Sequence, residues 1–279
     1  MHVDLSEGNR AAAAAIARAI RASGPDAIVI AGDAGNTIEA VEQTLSLFES
    51  FRGPKLFVPG NHDVWIETSG GALIDSRTKY AEKIPATCRT LGFHDLGREP
   101  LVLGEVGFVG SIGWYDYSFA DPRLGLSDED YWRGRYGDEI WWDRKMTCWV
   151  SEARGEAASR ERMRDPQVCA ELCGRLESHL RWIEARAKSI VAVVHTLPFF
   201  VGVARTDPPH YLDAYTGSEI LGRILQAHSK VKLCIHGHKH GCGEWTIGGI
   251  RALRRTLGRV DEGDDIEERA VHAAGIVEL

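Results

Sequence analysis

Four short apolar runs stand out from the polar background of this chain: Asp26-Ala-Ile-Val-Ile-Ala31, Lys55-Leu-Phe-Val-Pro59, Ser189-Ile-Val-Ala-Val-Val194 and Val231-Lys-Leu-Cys-Ile235. Their length, their β-branched content and the Gly, Asn, Asp or His that follows each predict buried strands. Helices are expected over 9–22, 37–51, 71–83 and about Gln167 to Ala187, the first with Asn9 near its N-cap and Gly24-Pro25 as its stop. Strands alternating with helices over short connections argue for an α/β sheet covered by helices. Residues 100–103 and 107–111 read as two short strands joined through Gly104-Glu105, so a mixed sheet is expected.

Residues 114–166 break the alternation. They hold Trp114, Trp132, Trp141, Trp142 and Trp149 together with Tyr115, Tyr117, Tyr131 and Tyr136. This stretch is expected to be an insertion over the strand ends, its rings packed on the core or lining a cleft. The charged tail Asp261–Arg269 is expected to be solvated, with Ala274–Val277 as a last strand. The 279 residues are read as one domain.

Composition narrows the function. The chain is 44% hydrophobic and 26% charged, with a net charge of −7. Nucleic-acid binders carry a basic footprint, so a nucleic-acid partner is not expected, although bound cations would reverse the local charge in a nuclease. The six cysteines form no CxxC pair and are expected to be free thiols. No apolar run approaches the ~20 residues that span a bilayer. Ala11–Ala19 does not read as a signal peptide, because Asp4 and Glu7 precede it and Arg18 interrupts it. A cytoplasmic protein without a membrane partner is the expectation.

The four strand ends carry the chemistry. They deliver Asp33, Asn61, His62, Asp63, His195, His238 and His240 to the rim where open α/β sheets hold ligands. Carboxylate, imidazole and amide oxygen together suit a first-row divalent metal. Two cations about 3.5–4 Å apart need a bridging anion, and Asp33 is the natural one. Such a pair favours phosphoryl transfer to water. His236 reads as a neighbour that supports the loop, His210 as an ordinary loop residue, and His94, His179, His228 and His272 as surface residues.

GDxxN at 32–36, GNHD at 60–63, His195 at a strand end and GHKH at 237–240 resemble the motif series of the calcineurin-like metallophosphoesterases, in order and spacing, over nearly the whole chain. The resemblance implies an α/β fold, a four-layer α/β/β/α sandwich of two mixed β-sheets flanked by helices. It implies two divalent metal ions (Mn, Fe or Zn) and a metal-bound hydroxide attacking a small phosphorylated substrate, a phosphate mono- or diester. By position, Asp33 would bridge both metals, Asn61, His195 and His238 would complete the second site, and His240 would bind the first. His62 would sit beside the phosphate, with Asp63 holding its ring. A nuclease of the same fold, a hydrolase of nucleotide diphosphates or cyclic nucleotides, and a homologue impaired in the first metal site remain alternatives.

The family pattern opens with a strand ending in Asp-x-His, both residues serving the first metal. Here His2 fits the histidine, inside Met1-His2-Val3-Asp4. Two explanations stay open for the Asp: a start internal to a longer reading frame, with Asp directly before Met1, or a short variant with a weakened first site. The first is the expectation, because the other motifs are intact and foldable sequences agree across levels.

Overall fold

The computed structural model describes residues 1–151, 161–261 and 263–279. In chain order the strands are β1 (Ile28–Ala31), β2 (Lys55–Val58), β3 (Glu67–Ser69), β4 (Ala72–Ile74), β5 (Phe93–Asp95), β6 (Leu101–Leu103), β7 (Val106–Ser111), β8 (Arg135–Tyr136), β9 (Glu139–Ile140), β10 (Ser189–Val194), β11 (Val231–His236), β12 (Gly243–Ile247) and β13 (Ile250–Arg254). One sheet has the order β1-β2-β5 and a larger one the order β12-β13-β11-β10-β7-β6.

The larger sheet is mixed, as the sequence implies. Its four central strands run parallel, and antiparallel hairpins add β6 and β12 at the edges. The β12–β13 turn is Gly248-Gly249, both at positive φ, the backbone a two-residue hairpin requires. The smaller sheet is parallel throughout, because each of its connections is a helical crossover: Ile38–Ser46 between β1 and β2, and Ile84–Leu91 before β5.

Alternation along the strands builds the layers. Ile190, Ala192 and Val194 of β10 belong to the same cluster as Leu172, Leu176, Leu180 and Ile183 of the helix Asp165–Glu184. Val191 and Val193 point the other way and pack with Leu56 and Val58 of β2, Phe108, Leu233 and Leu253. This inner cluster joins the two sheets. Each fully buried side chain in it contributes about 1.5–3 kcal/mol, so side-chain burial, not strand pairing, holds the sheets face to face.

Several local expectations give way to specific partners. Ser6 caps the first helix (Glu7–Ser23), its Oγ accepting from Asn9 N, while Gly24 at φ 60° ends it. Asn9 is instead buried: Nδ2 donates to Met1 O and Gly258 O, and Oδ1 accepts from Val260 N. The second helix stops at Ser46, short of residue 51. Over 71–83 the structure has no single helix. Gly70 and Gly71, both at positive φ, turn the β3–β4 hairpin, and helix begins after Asp75, which caps Thr78 N. The described residues of the tail over 261–269 are mostly exposed, as the charge predicts; the helix Ile266–Ala273 buries Ala270 just beyond them, and Arg18 forms an exposed pair with Glu267. Residues 274–277 form no strand. His228 is buried and paired with Glu184 at 3.0 Å.

Within the aromatic stretch, Trp114, Tyr115, Tyr117, Tyr131 and Trp149 are buried, and Asp165 accepts from Trp114 Nε1 and Tyr117 Oη at 2.8 Å each. Residues 152–160 of that stretch lie outside the described residues. Cys169 and Cys173 share a buried helix face, their sulfurs 4.0 Å apart. Among the described residues no helix is long and apolar enough to cross a membrane.

Asp95 at the end of β5 yields a stability prediction. Its Oδ1 accepts from Gly97 N at 3.0 Å, its Oδ2 has no partner among the described residues, and burial pushes its pKa up to about 6 from an ordinary 3.8. The folded state then binds more protons than the unfolded state between those two values, so stability falls as pH rises through that window. Asp95→Asn stays neutral and should be more stable than the parent by about 3 kcal/mol above pH 6, and close to it near pH 4. Urea melts at both pH values check this; equal stability at pH 7.5 counts against it.

Candidate metal centre

Two glycines let the loops after β1 and β2 meet. A Cβ on Gly32 (φ +87°) would lie 2.5 Å from Gly60 N and from His195 Nδ1, and one on Gly60 would lie 2.2 Å from Asp33 Oδ1. Only bare backbone fits at that approach. Asp63 clamps the same two loops: Oδ1 accepts from Gly35 N (2.9 Å) and Oδ2 from Gly60 N (2.7 Å). This corrects the expectation that Asp63 holds the His62 ring. A fully buried carboxylate is satisfied by the nearest orphan N–H groups, and here those belong to the two loops.

The His62 ring is held by other residues. Nδ1 lies 2.8 Å from Asn36 Oδ1, the ring stacks on Trp65 at 4.0 Å, and it meets His2 edge-on at 4.6 Å. Burial lowers its pKa. The His62 N–H donates to Asp33 Oδ1 at 3.1 Å.

Asp33 lies between two sets of candidate ligands. Its Oδ2 is 3.3 Å from His2 Nε2 and 3.3 Å from His195 Nε2. The ligand atoms of His2, Asp33 and His62 lie within 4.8 Å of one another, and so do those of Asp33, His195 and His238. Burial alone would raise the Asp33 pKa, but the charges of His195, His2 and His62 hold it well below the usual range. For His195 burial works to lower the pKa, and the Asp33 carboxylate overcomes it and raises it.

The second set has the stronger signature of a cation site. His195 Nδ1 lies 2.8 Å from the Ala31 carbonyl and donates to it, while Nε2 is 3.0 Å from Asn61 Oδ1. His238 is reversed: Nε2 donates to the Tyr215 carbonyl (2.9 Å), and Nδ1 is 3.0 Å from the same Asn61 Oδ1. Burial and the neighbouring His195 push the His238 pKa down to about 3, so Nδ1 is a bare lone pair at neutral pH. Asn61 presents oxygen here because its Nδ2 donates to both oxygens of Asp143, at 3.1 and 3.0 Å. Asn61 Oδ1 and His238 Nδ1 are acceptors 3.0 Å apart with no hydrogen between them; they repel, and a cation at their focus relieves the repulsion. The donor set, two imidazoles, an amide oxygen and a carboxylate, fits a first-row divalent metal.

The backbone carries strain at the same residues. Among the described residues four non-glycine residues have positive φ, and three of them are His2 (54°), Asp33 (53°) and His238 (65°). Each costs of order 1–3 kcal/mol, and such residues collect at functional sites.

Other expectations resolve as follows. His240 is exposed, its ring 6.0 Å from that of His2, and it belongs to neither ligand set. His236 is buried beside Trp245, with no partner on either nitrogen among the described residues. His210 lies out with Glu139 and Asp213. Three residues that touch the centre were not singled out from the sequence: Asn36, Trp65 and Asp143. Asn36 closes the GDxxN motif and Trp65 follows GNHD by two positions, so both carried a local signal. Asp143, 82 residues from Asn61, carried none. A surface cavity of about 370 Å³ lined by Asp121, Arg123 and Arg205 includes no residue of the centre, and its arginines are already paired with Asp121 and Asp213.

The sequence profile of the calcineurin-like phosphoesterases matches residues 1–242. Among curated proteins no sequence match is found. The phosphopantetheinyl hydrolase of Mycobacterium tuberculosis superposes with a TM-score of 0.62 at 18% identity, over 82% of this chain and 77% of its own. Protein TT1561 of Thermus thermophilus superposes with a TM-score of 0.53 at 14% identity, over 94% of this chain and 86% of its own. At these identities the likeness is one of fold, and it agrees with the sandwich described above. With the profile covering most of the chain, this protein belongs to the calcineurin-like phosphoesterases, metal-dependent enzymes that hydrolyse phosphate esters.

Proposed function

We propose that the chain hydrolyses a small phosphate mono- or diester at a dinuclear metal centre, with Asp33 as the shared ligand. The observation that carries this is the place of Asp33 Oδ2, 3.3 Å from one histidine of each ligand set. Asn61, His195 and His238 complete the set on one side. His2 lies on the other side, with His240 at the rim. Two divalent cations held by these residues, Mn, Fe or Zn, would supply positive charge for the phosphoryl oxygens and would lower the pKa of water.

The protein's own groups do the rest. Asn36 and Trp65 fix the His62 ring beside Asp33, where it can neutralise phosphate charge or protonate the leaving oxygen. Asp63 keeps the two loops in register. Residues 1–279 act as one catalytic unit, and the 114–166 stretch is an insertion bordering the centre, a reading supported by the contact of Asp143 with Asn61. Metal analysis of the purified chain, with turnover of para-nitrophenyl phosphate and its bis-ester, tests the proposal. Two metals per chain and chelator-sensitive hydrolysis are expected; one metal per chain at full turnover overturns the dinuclear reading.

A further inference from the structure

We infer that Asp143 is a positioning residue for metal binding: it holds the Asn61 amide with its oxygen toward His195 and His238, against the flip those rings favour when no cation is bound. The inference rests on the proposed ligand role of Asn61.

An asparagine amide is a two-ended group, oxygen acceptor at one end and NH2 donor at the other, and its ends exchange by a half-turn. The two histidines do not select the oxygen. Each has its other nitrogen on a backbone carbonyl, Ala31 O at 2.8 Å and Tyr215 O at 2.9 Å, so in its neutral form each turns a nitrogen acceptor toward Asn61. With no cation present, an NH2 group would satisfy both. That orientation would put hydrogens where the metal belongs.

Asp143 prevents it. A carboxylate only accepts, and both oxygens face Asn61 Nδ2. The carboxylate is itself pinned, with Oδ1 accepting from Trp65 Nε1 and Oδ2 from Tyr115 Oη, each at 2.7 Å. Those two anchors reach the site again through their rings. Trp65 stacks on His62, and the Tyr115 ring lies 5.7 Å from that of His238. One buried carboxylate therefore sets the amide and ties down the supports of two histidines.

The test is Mn²⁺ titration of the metal-stripped full chain, read as stoichiometry and affinity. The variants are Asp143→Ala, Asp143→Asn, Asn61→Ala and the Asn61→Ala/Asp143→Ala pair. Asp143→Ala should weaken one Mn²⁺ site by ~10–100-fold, the usual cost of losing a partner that orients a ligand. In the Asn61→Ala background the same change should cost little, because no amide remains to orient. Asp143→Asn can still accept from Nδ2 with one oxygen, so it should fall between parent and Asp143→Ala; where Asp143→Ala fails to fold, this variant decides. Unchanged affinity in Asp143→Ala while Asn61→Ala loses a site overturns the inference alone. An equal loss in both backgrounds also overturns it, since Asp143 would then act by general packing. Unchanged affinity in Asn61→Ala overturns the ligand reading beneath it.

Discussion

Asp33→Asn should lower turnover by roughly 10³-fold or more, beyond the ~10²–10³ that one preorganised charge-stabilising donor is worth. The substitution keeps size and shape. Asparagine is among the few side chains that accept the left-handed backbone found at residue 33 (φ 53°), so the loop should stay folded. The bridging charge is lost. An amide offers one neutral oxygen, and its NH2 end would donate to His2 Nε2 or His195 Nε2, the two nitrogens now 3.3 Å from Oδ2. Metal content measured on the purified variant should drop together with rate. Two bound metals at parental activity would sink the shared-ligand reading.

His62→Ala should reduce turnover by ~10²–10⁴, the range for losing a general acid or base, while metal content stays near the parent's. The structure sharpens this test, because His62 lies in one set with His2 and Asp33 and could itself be a ligand. Its stance argues for contact with substrate. Nδ1 is held on Asn36 and the ring is stacked on Trp65, which fixes the imidazole without a metal bond. If metal leaves in parallel with activity, His62 is a ligand and the acid role fails.

The strands and motifs were legible because both are local. β10 matches the expected run residue for residue, β2 stops one residue short of it, at Val58, and β11 extends one residue further, to His236. Buried strands declare themselves as short β-branched runs. Gly70-Gly71 was an equally local signal for a hairpin, and the helical reading of 71–83 passed over it. The role of Asp63 was a different matter. Its sequence neighbour is His62, yet its partners are backbone N–H groups of Gly35 and Gly60, chosen by how two loops meet. Asp143 shows the limit: its link to Asn61 spans 82 residues and follows from how the aromatic stretch folds back over the strand ends, which no periodicity encodes.

The candidate ligands come from both layers of the sandwich: Asp33 and Asn61 follow strands of the small sheet, His195 and His238 follow or cap strands of the large one. On the proposed reading, an ion bound there acts as a cross-link between two sheets whose facing sides are packed through the inner cluster. Melting then becomes a function of free metal concentration. At a hundred times the dissociation constant the folded state gains ~2.7 kcal/mol, which for a chain of this size corresponds to a melting-point rise of about 5 °C. Scanning calorimetry across a metal titration should trace that rise and a chelator should reverse it, so heat alone would report how firmly the two halves are fastened.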